Sequence, residues 1–380
     1  MRVARTHMSR QRGLWMGIVL SVLVMAAASC GGPSFSRETT TALDRELDTV
    51  MASNKMPGAI AGVWIPSQGT WFVAKGEADV QAGMPMKTSD KFRIASVTKT
   101  FTATMVLILA DDGRLSLDDK LSEYLPEIAN AENITIRRLL NHTSGIRDED
   151  PTGAWAEYFA HTDRMLKRWT PMEVYQAYTG SQVQEEPGEW EYSNAGYVVL
   201  GMVIEKVSGT SVPDFCEAEI ARPLGLEDTY FPEGPEITGE YAHGYDGSTD
   251  VTRMDMSWDF TAGAMISTAS DLKVWSKSFV TGELLSPEML EQQNTFVELP
   301  GREGKVKEGL GPEYLYGWLG HAGANIGYQC EMWYYPEEDA TIVVMMNKLS
   351  SDESDLGAAT KAWMQLADTV FPGILPAPHR

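Results

Sequence analysis

Ten residues constrain this chain more than any other stretch: Phe92-Arg93-Ile94-Ala95-Ser96-Val97-Thr98-Lys99-Thr100-Phe101. Thr100 to Ala110 is rich in apolar residues and free of Gly and Pro, which predicts a buried helix ending near Gly113. If Ser96 opens that helix, Ser96 and Lys99 share a face at i and i+3, and the amine reaches the hydroxyl. A serine hydroxyl is a weak nucleophile that needs a base. A lysine serves as that base when burial lowers its pKa. The helix N-terminus would add free N–H groups and a positive dipole end where an oxyanion forms. Alone, the pair reads more readily as a plain N-cap serine, so two further motifs matter.

The second is Tyr192-Ser193-Asn194, after a Pro187-Gly188 turn and just before an apolar helix. A phenol can relay protons, and an amide can hold a substrate carbonyl or orient Lys99. An aromatic packing residue before a helix cap is the bland alternative. The third is His321-Ala322-Gly323-Ala324, ahead of the last strands. Gly323 would let a substrate backbone approach a strand edge. A cationic or hydrogen-bonding His321 could bind a carboxylate; a strand-edge histidine near a glycine turn is the other reading.

The first 29 residues read as a targeting segment. Arg2, Arg5, Arg10 and Arg12 precede an apolar run, Leu14 to Ser29, too short for a comfortable membrane span. Removing it takes Lys+Arg from 31 to 27 against 53 Asp+Glu, a net charge of −26. Such an acidic chain argues against nucleic acid and against docking on an anionic membrane surface. An anionic substrate would need a local positive group in the cleft. Cys216 and Cys330 form no disulfide framework and lie in no metal-ligand pattern; a bridge and two free thiols both stay open.

Along the chain, Thr40 to Met51 reads as an amphipathic helix with Leu43, Leu47 and Val50 inward. Ala59–Trp64 and Trp71–Ala74 read as a hairpin. Mostly helical text follows to about residue 230. It includes a short helix from Leu117 to Pro126, one from Ile136 capped by Thr135, one opened by Thr170-Pro171, one from Ala195 to Val207 closed by Gly209, and one from Asp214 broken at Pro223. Ser270-Asp271 reads as the cap of a helix Leu272 to Ser278. Two strands, Glu331–Tyr335 and Thr341–Met346, and a helix from about Leu356 to Val370 end the chain. The expected fold class is α+β: one antiparallel sheet built from both chain ends, flanked by helices, with a mainly helical region, about 100–230, inserted.

These motifs, in this order, resemble the penicillin-recognising serine hydrolases: class C β-lactamases, D-Ala-D-Ala carboxypeptidases and related esterases. The resemblance spans residues 40–370. It rests on Ser96-Val97-Thr98-Lys99 in its Phe92–Lys99 setting, Ile134 to Gly145 with its His142-Thr143-Ser144-Gly145 turn, Pro187-Gly188 before Tyr192-Ser193-Asn194, Ala262-Gly263 with Ser267 to Leu272, and Gly320-His321-Ala322-Gly323. It implies a β-lactamase/transpeptidase-like fold and an acyl-enzyme mechanism. Ser96 would be the nucleophile, Lys99 its proton acceptor and Tyr192 the general base or relay. Asn194 would hold the substrate carbonyl, and the N–H groups of Ser96 and Ala324 would form the oxyanion hole. His321, Gly323 and Ala324 would line the substrate edge, with His321 where lactamases of this group carry lysine. The Ala28-Ser29-Cys30 end of the leader resembles a lipoprotein signal, implying cleavage before Cys30 and its lipidation; an ordinary signal peptide or an uncleaved anchor are the alternatives.

The expected organisation is a signal peptide 1–29, a linker 30–39, a hydrolase domain 40–372 and a tail 373–380. The expected protein is an exported, membrane-anchored monomer facing the periplasm or cell exterior, without metal or organic cofactor. The resemblance implies a D-Ala-D-Ala carboxypeptidase-like peptidase on peptidoglycan stem peptides. The alternatives are an esterase or weak β-lactamase on this fold and, more distantly, a non-catalytic protein that binds wall fragments.

Overall fold

In the computed structural model, residues 33–148, 164–180, 185–302, 304–349 and 357–376 are described. The leader and Cys30 lie outside them. A nine-stranded sheet carries the fold. Its strands, numbered along the chain, are β1 (Gly58–Ile65), β2 (Gly69–Asp79), β3 (Met84–Pro85), β4 (Val297–Glu298), β5 (Val306–Glu308), β6 (Glu313–Leu315), β7 (Trp318–Asn325), β8 (Tyr328–Tyr335) and β9 (Ala340–Met346). Their order is β3-β2-β1-β9-β8-β7-β6-β5-β4, and every neighbouring pair is antiparallel. The first and last parts of the chain meet at β1–β9, with Ala61 opposite Val344.

The central strands are buried on both faces, and alternation divides their side chains between two cores. Ala59, Ala61, Val63 and Ile65 of β1 pack with Leu43, Leu47 and Val50 of α1 (Arg37–Ser53) and with Trp363 of a C-terminal helix, Ala358–Val370. Ile60 and Trp64 point the other way, into a core shared with α2 (Thr98–Asp111), α3 (Asn194–Ser208) and α4 (Ala269–Thr281). This is the β-lactamase/transpeptidase-like α+β architecture expected from the sequence.

Several expectations change in detail. The first helix begins at Arg37, inside the stretch assigned to the linker. The Leu117–Pro126 stretch forms only a 3-10 turn, Leu121–Glu123, because Leu121 N and Ser122 N donate to Ile134 O and Ala131 O at 2.9 and 3.1 Å. Pro223 does not break its helix: a π-helical turn, Glu217–Ala221, carries the chain into a last turn, Arg222–Leu224. Thr268, not Ser270, caps α4. Cys216 and Cys330 are buried free thiols.

Candidate active site

The nucleophile turn is held from both sides. Phe92 and Arg93 pair with Ser267 and Ile266 as a two-residue ribbon, and Ile94 N donates to Met265 O at 3.0 Å. The fully buried Arg93 extends this clamp, its Nη2 donating to the carbonyls of Pro235, Thr252 and Met254, each at 3.0 Å. Between these anchors Ala95 adopts φ +47°, a left-handed conformation that alanine takes only under constraint. Ser96 therefore lies in a 3-10 turn, Ala95–Val97, rather than opening α2, and its hydroxyl caps no helix. That frees the oxygen for Lys99.

Lys99 is fully buried, and its Nζ has three partners: Ser96 Oγ at 3.0 Å, Asn194 Oδ1 at 2.8 Å and Ala262 O at 2.8 Å. The last two only accept. A neutral amine keeps two N–H donors for them, which leaves its lone pair toward the serine hydroxyl. Burial lowers the lysine to about 8, against the opposing pull of Asp259, Asp148, Glu313 and Glu308. Ala262 supplies its carbonyl from a helical turn, Phe260–Gly263; a Cβ on Gly263 would lie 1.9 Å from Asp259 Oδ2.

The Tyr192 ring lies 4.9 Å from Lys99 Nζ and stacks on His142 with centroids 4.5 Å apart. Burial drives the phenol well above its ordinary range, with the Ser96 hydroxyl pulling it partly back. It is therefore a neutral phenol, suited to relaying a proton rather than to acting as a tyrosinate base. His142 Nδ1 accepts from Ser193 N at 3.0 Å, which places the ring proton on Nε2. Burial and the nearby Lys99 keep this histidine neutral. It belongs to the His142-Thr143-Ser144-Gly145 turn and packs directly against Tyr192.

Asn194, the first residue of α3, gives Oδ1 to Lys99, and its amide nitrogen makes no hydrogen bond among the described residues. Asp148 holds it there, accepting from Asn194 N at 2.7 Å, Ala195 N at 3.0 Å and Ser193 Oγ at 3.1 Å. Sequence reasoning missed Asp148, which sits in an Arg147-Asp148-Glu149-Asp150 run that reads as a charged surface loop.

Strand β7 closes the site. Its pairing with β6 ends at Gly320, leaving the edge from His321 open toward the nucleophile turn. A Cβ on Gly323 would meet Ile94 O at 2.3 Å, Ser96 N at 3.1 Å and Val97 N at 3.2 Å. What approaches Gly323 is thus the nucleophile turn itself, where the sequence suggested a substrate backbone. Ala322 N points off the open edge to the Glu313 carboxylate, and the two-residue period of a strand gives the Ala324 N–H the same sense.

Of the two readings of His321, cationic or hydrogen-bonding, the cationic one is corrected. The side chain is 2% exposed, its Nδ1–H donates to Ala322 O, and burial holds it neutral at about 3. Nε2 has no hydrogen-bond partner among the described residues and lies 3.8 Å from Glu313 Oε1. Glu313 faces Glu308 across β5–β6, and neither was foreseen. The Glu308-Gly309-Leu310-Gly311-Pro312-Glu313 spacing, read as a hairpin turn, would have paired them.

Residues 43–366 match the Beta-lactamase family. This chain belongs to the β-lactamase family. Penicillin-binding protein 4* of Bacillus subtilis is 29% identical over 304 residues, covering 73% of this chain and 65% of that protein. The chain thus spans just under two thirds of that relative's length. The D-amino acid amidase from Ochrobactrum anthropi SV3, solved with L-phenylalanine amide, has a TM-score of 0.78 at 26% identity, covering 88% of this chain and 99% of the amidase. The octameric penicillin-binding protein homologue from Pyrococcus abyssi has a TM-score of 0.72 at 28% identity, covering 87% and 77%.

Proposed function

We propose that this chain hydrolyses amide bonds of D-amino-acid substrates, from simple D-amino acid amides to short D-peptides of the cell-wall stem type, through an acyl-enzyme on Ser96. The observation that carries the mechanism is the three-way bonding of the buried Lys99. Neutral Lys99 takes the Ser96 proton as Oγ bonds to the substrate carbonyl carbon. The oxyanion meets the N–H groups of Ser96 and Ala324. Tyr192 relays to the leaving nitrogen the proton that Lys99 has taken, the C–N bond breaks, and water then cleaves the ester. The likeness to a D-amino acid amidase supports the substrate class.

A D-Ala-D-Ala carboxypeptidase is the second reading, favoured by the likeness to penicillin-binding protein 4*. It must bind a free carboxylate, and neutral His321 beside Glu313 argues for amides without one. An esterase or weak β-lactamase uses the same machinery. The leader ending at Cys30 supports export and a lipid anchor, which would put the enzyme beside wall material.

The test is ammonia release from D- and L-phenylalanine amide, with intact-mass spectrometry after brief exposure to penicillin and Ser96→Ala as control. Turnover of the D-amide, lost in the alanine variant, is the expected result. A lasting penicillin adduct on Ser96 with cleavage of D-alanyl-D-alanine peptides but not amides would move the assignment to the carboxypeptidase. Wild-type rates in Ser96→Ala would sink the mechanism.

A further inference from the structure

The β5–β6 hairpin carries a second set of polar groups that the acyl-enzyme chemistry does not use. Glu308 and Glu313 are directly opposed in register, so their side chains share one face of the sheet. Glu308 is 1% exposed, and its Oε1 has no hydrogen-bond partner among the described residues, although the Trp190 indole bonds to the carboxyl. Glu313 is half-buried and accepts from Ala322 N. Independently, His321 is nine-tenths buried on a different strand, and its unpartnered Nε2 is directed at Glu313 from 3.8 Å. Because Nδ1 carries the proton given to Ala322 O, Nε2 presents a lone pair. Three acceptor groups thus adjoin: Glu308 and His321 each bring one atom without a partner among the described residues, on either side of Glu313, which takes one N–H from Ala322. Unpartnered buried acceptors are unfavourable until water, an ion or a ligand group completes them.

The other groups facing the pair are Lys99, Arg302, the Trp190 indole and Tyr192. Lys99 is already committed to its three partners. Burial raises both carboxyls, Glu313 to about 7, with Glu313 adding to the rise of Glu308 and Lys99 opposing it at both.

The set lies on the Tyr192 side of the nucleophile, since the Tyr192 and His321 rings are 6.4 Å apart. Tyr192 is where the leaving nitrogen receives its proton. We infer that Glu308, Glu313 and His321 form a subsite for a positively charged group, a primary ammonium, on the leaving-group side of the scissile bond. An ammonium brings three N–H donors to three acceptors. The proposal rests on the amide-hydrolase reading and adds to it the charge of the leaving group.

The test uses three D-alanyl amides of matched length, formed with ethylenediamine (cationic), propylamine (neutral) and β-alanine (anionic). The expected order in kcat/KM is cationic, neutral, anionic, with about a hundredfold between the ends. In Glu313→Gln the span falls to about tenfold or less, with the loss in KM for the cationic amide. If that variant does not fold, Glu308→Gln is read the same way, and the wild-type order decides without either. Equal rates, an anionic preference, turnover of none, or an equal fall in kcat for all three in the variants overturns the subsite. Acylation of Ser96 by penicillin, measured separately, distinguishes this failure from failure of the hydrolase reading.

Discussion

Replacing Gly323 by alanine tests the geometry on which the site depends. The added methyl would sit 2.3 Å from Ile94 O, where a carbon normally comes no closer than about 3.3 Å, so about 1 Å must be found. The neighbours are Ile94 O, Ser96 N and Val97 N, all backbone, and no rotamer change relieves them. The turn cannot easily yield, because the Arg93 carbonyl bonds and the Ile94–Met265 hydrogen bond pin it. Strand β7 must therefore withdraw, taking Ala324 N away from Ser96 N. A 1 Å misplacement of a reacting group, or the loss of one oxyanion donor, lowers kcat by about a hundredfold or more. Overpacking itself costs about 1–3 kcal/mol of stability. The assay is kcat on a nitrophenyl ester, corrected for folded fraction, alongside a thermal melt. Gly76→Ala is the control: its Cβ would strike Pro57 O at 2.1 Å, on the far side of the sheet, so it should lose stability while folded molecules keep their kcat. A Gly323→Ala enzyme that folds and retains kcat within about threefold would refute the inference that β7 and the nucleophile turn together set the oxyanion geometry.

Two further outcomes follow from the same contacts. If neutral Lys99 is the base, kcat/KM should rise with pH through a midpoint of about 8. Asp259→Asn should move that midpoint down, since Asp259 is the largest influence holding the lysine's proton on; a midpoint that stays put would remove Lys99 from the titration. Asp148→Ala should cost about 2 kcal/mol by uncapping α3 and should lower kcat about tenfold by loosening Asn194. Asp148→Asn should restore part of both, as read by melting and turnover, and equal losses in the two variants would contradict capping as the cause.

What was legible in the sequence is what short-range chemistry decides. Thr135 and Thr170-Pro171 cap the helices they were expected to cap, and Gly209 ends α3 in a left-handed conformation. The i, i+3 spacing brought Lys99 to Ser96, and apolar alternation drew the sheet from both chain ends. The failures share one cause, a partner distant in sequence. The 3-10 turn at Ser96 depends on carbonyls more than 140 residues away that hold Arg93. The role of Asp148 depends on the N-terminus of α3, more than 40 residues on.

The charge of His321 depends on a hairpin folding over it and excluding water, which a motif of four residues does not encode. That last case links two properties that the motif reading treats as separate. Burial alone would push Lys99 lower than about 8, and Asp259, Asp148, Glu313 and Glu308 hold it up. The charges that keep the base near working pH therefore also make the cleft unfavourable to a carboxylate. A lysine at the His321 position would answer that negative field; here the neutral imidazole leaves it standing. Tuning of the base and selection against anionic substrates are thus one electrostatic arrangement, and a variant that restores carboxylate binding by deleting Glu313 should lower the Lys99 pKa as well.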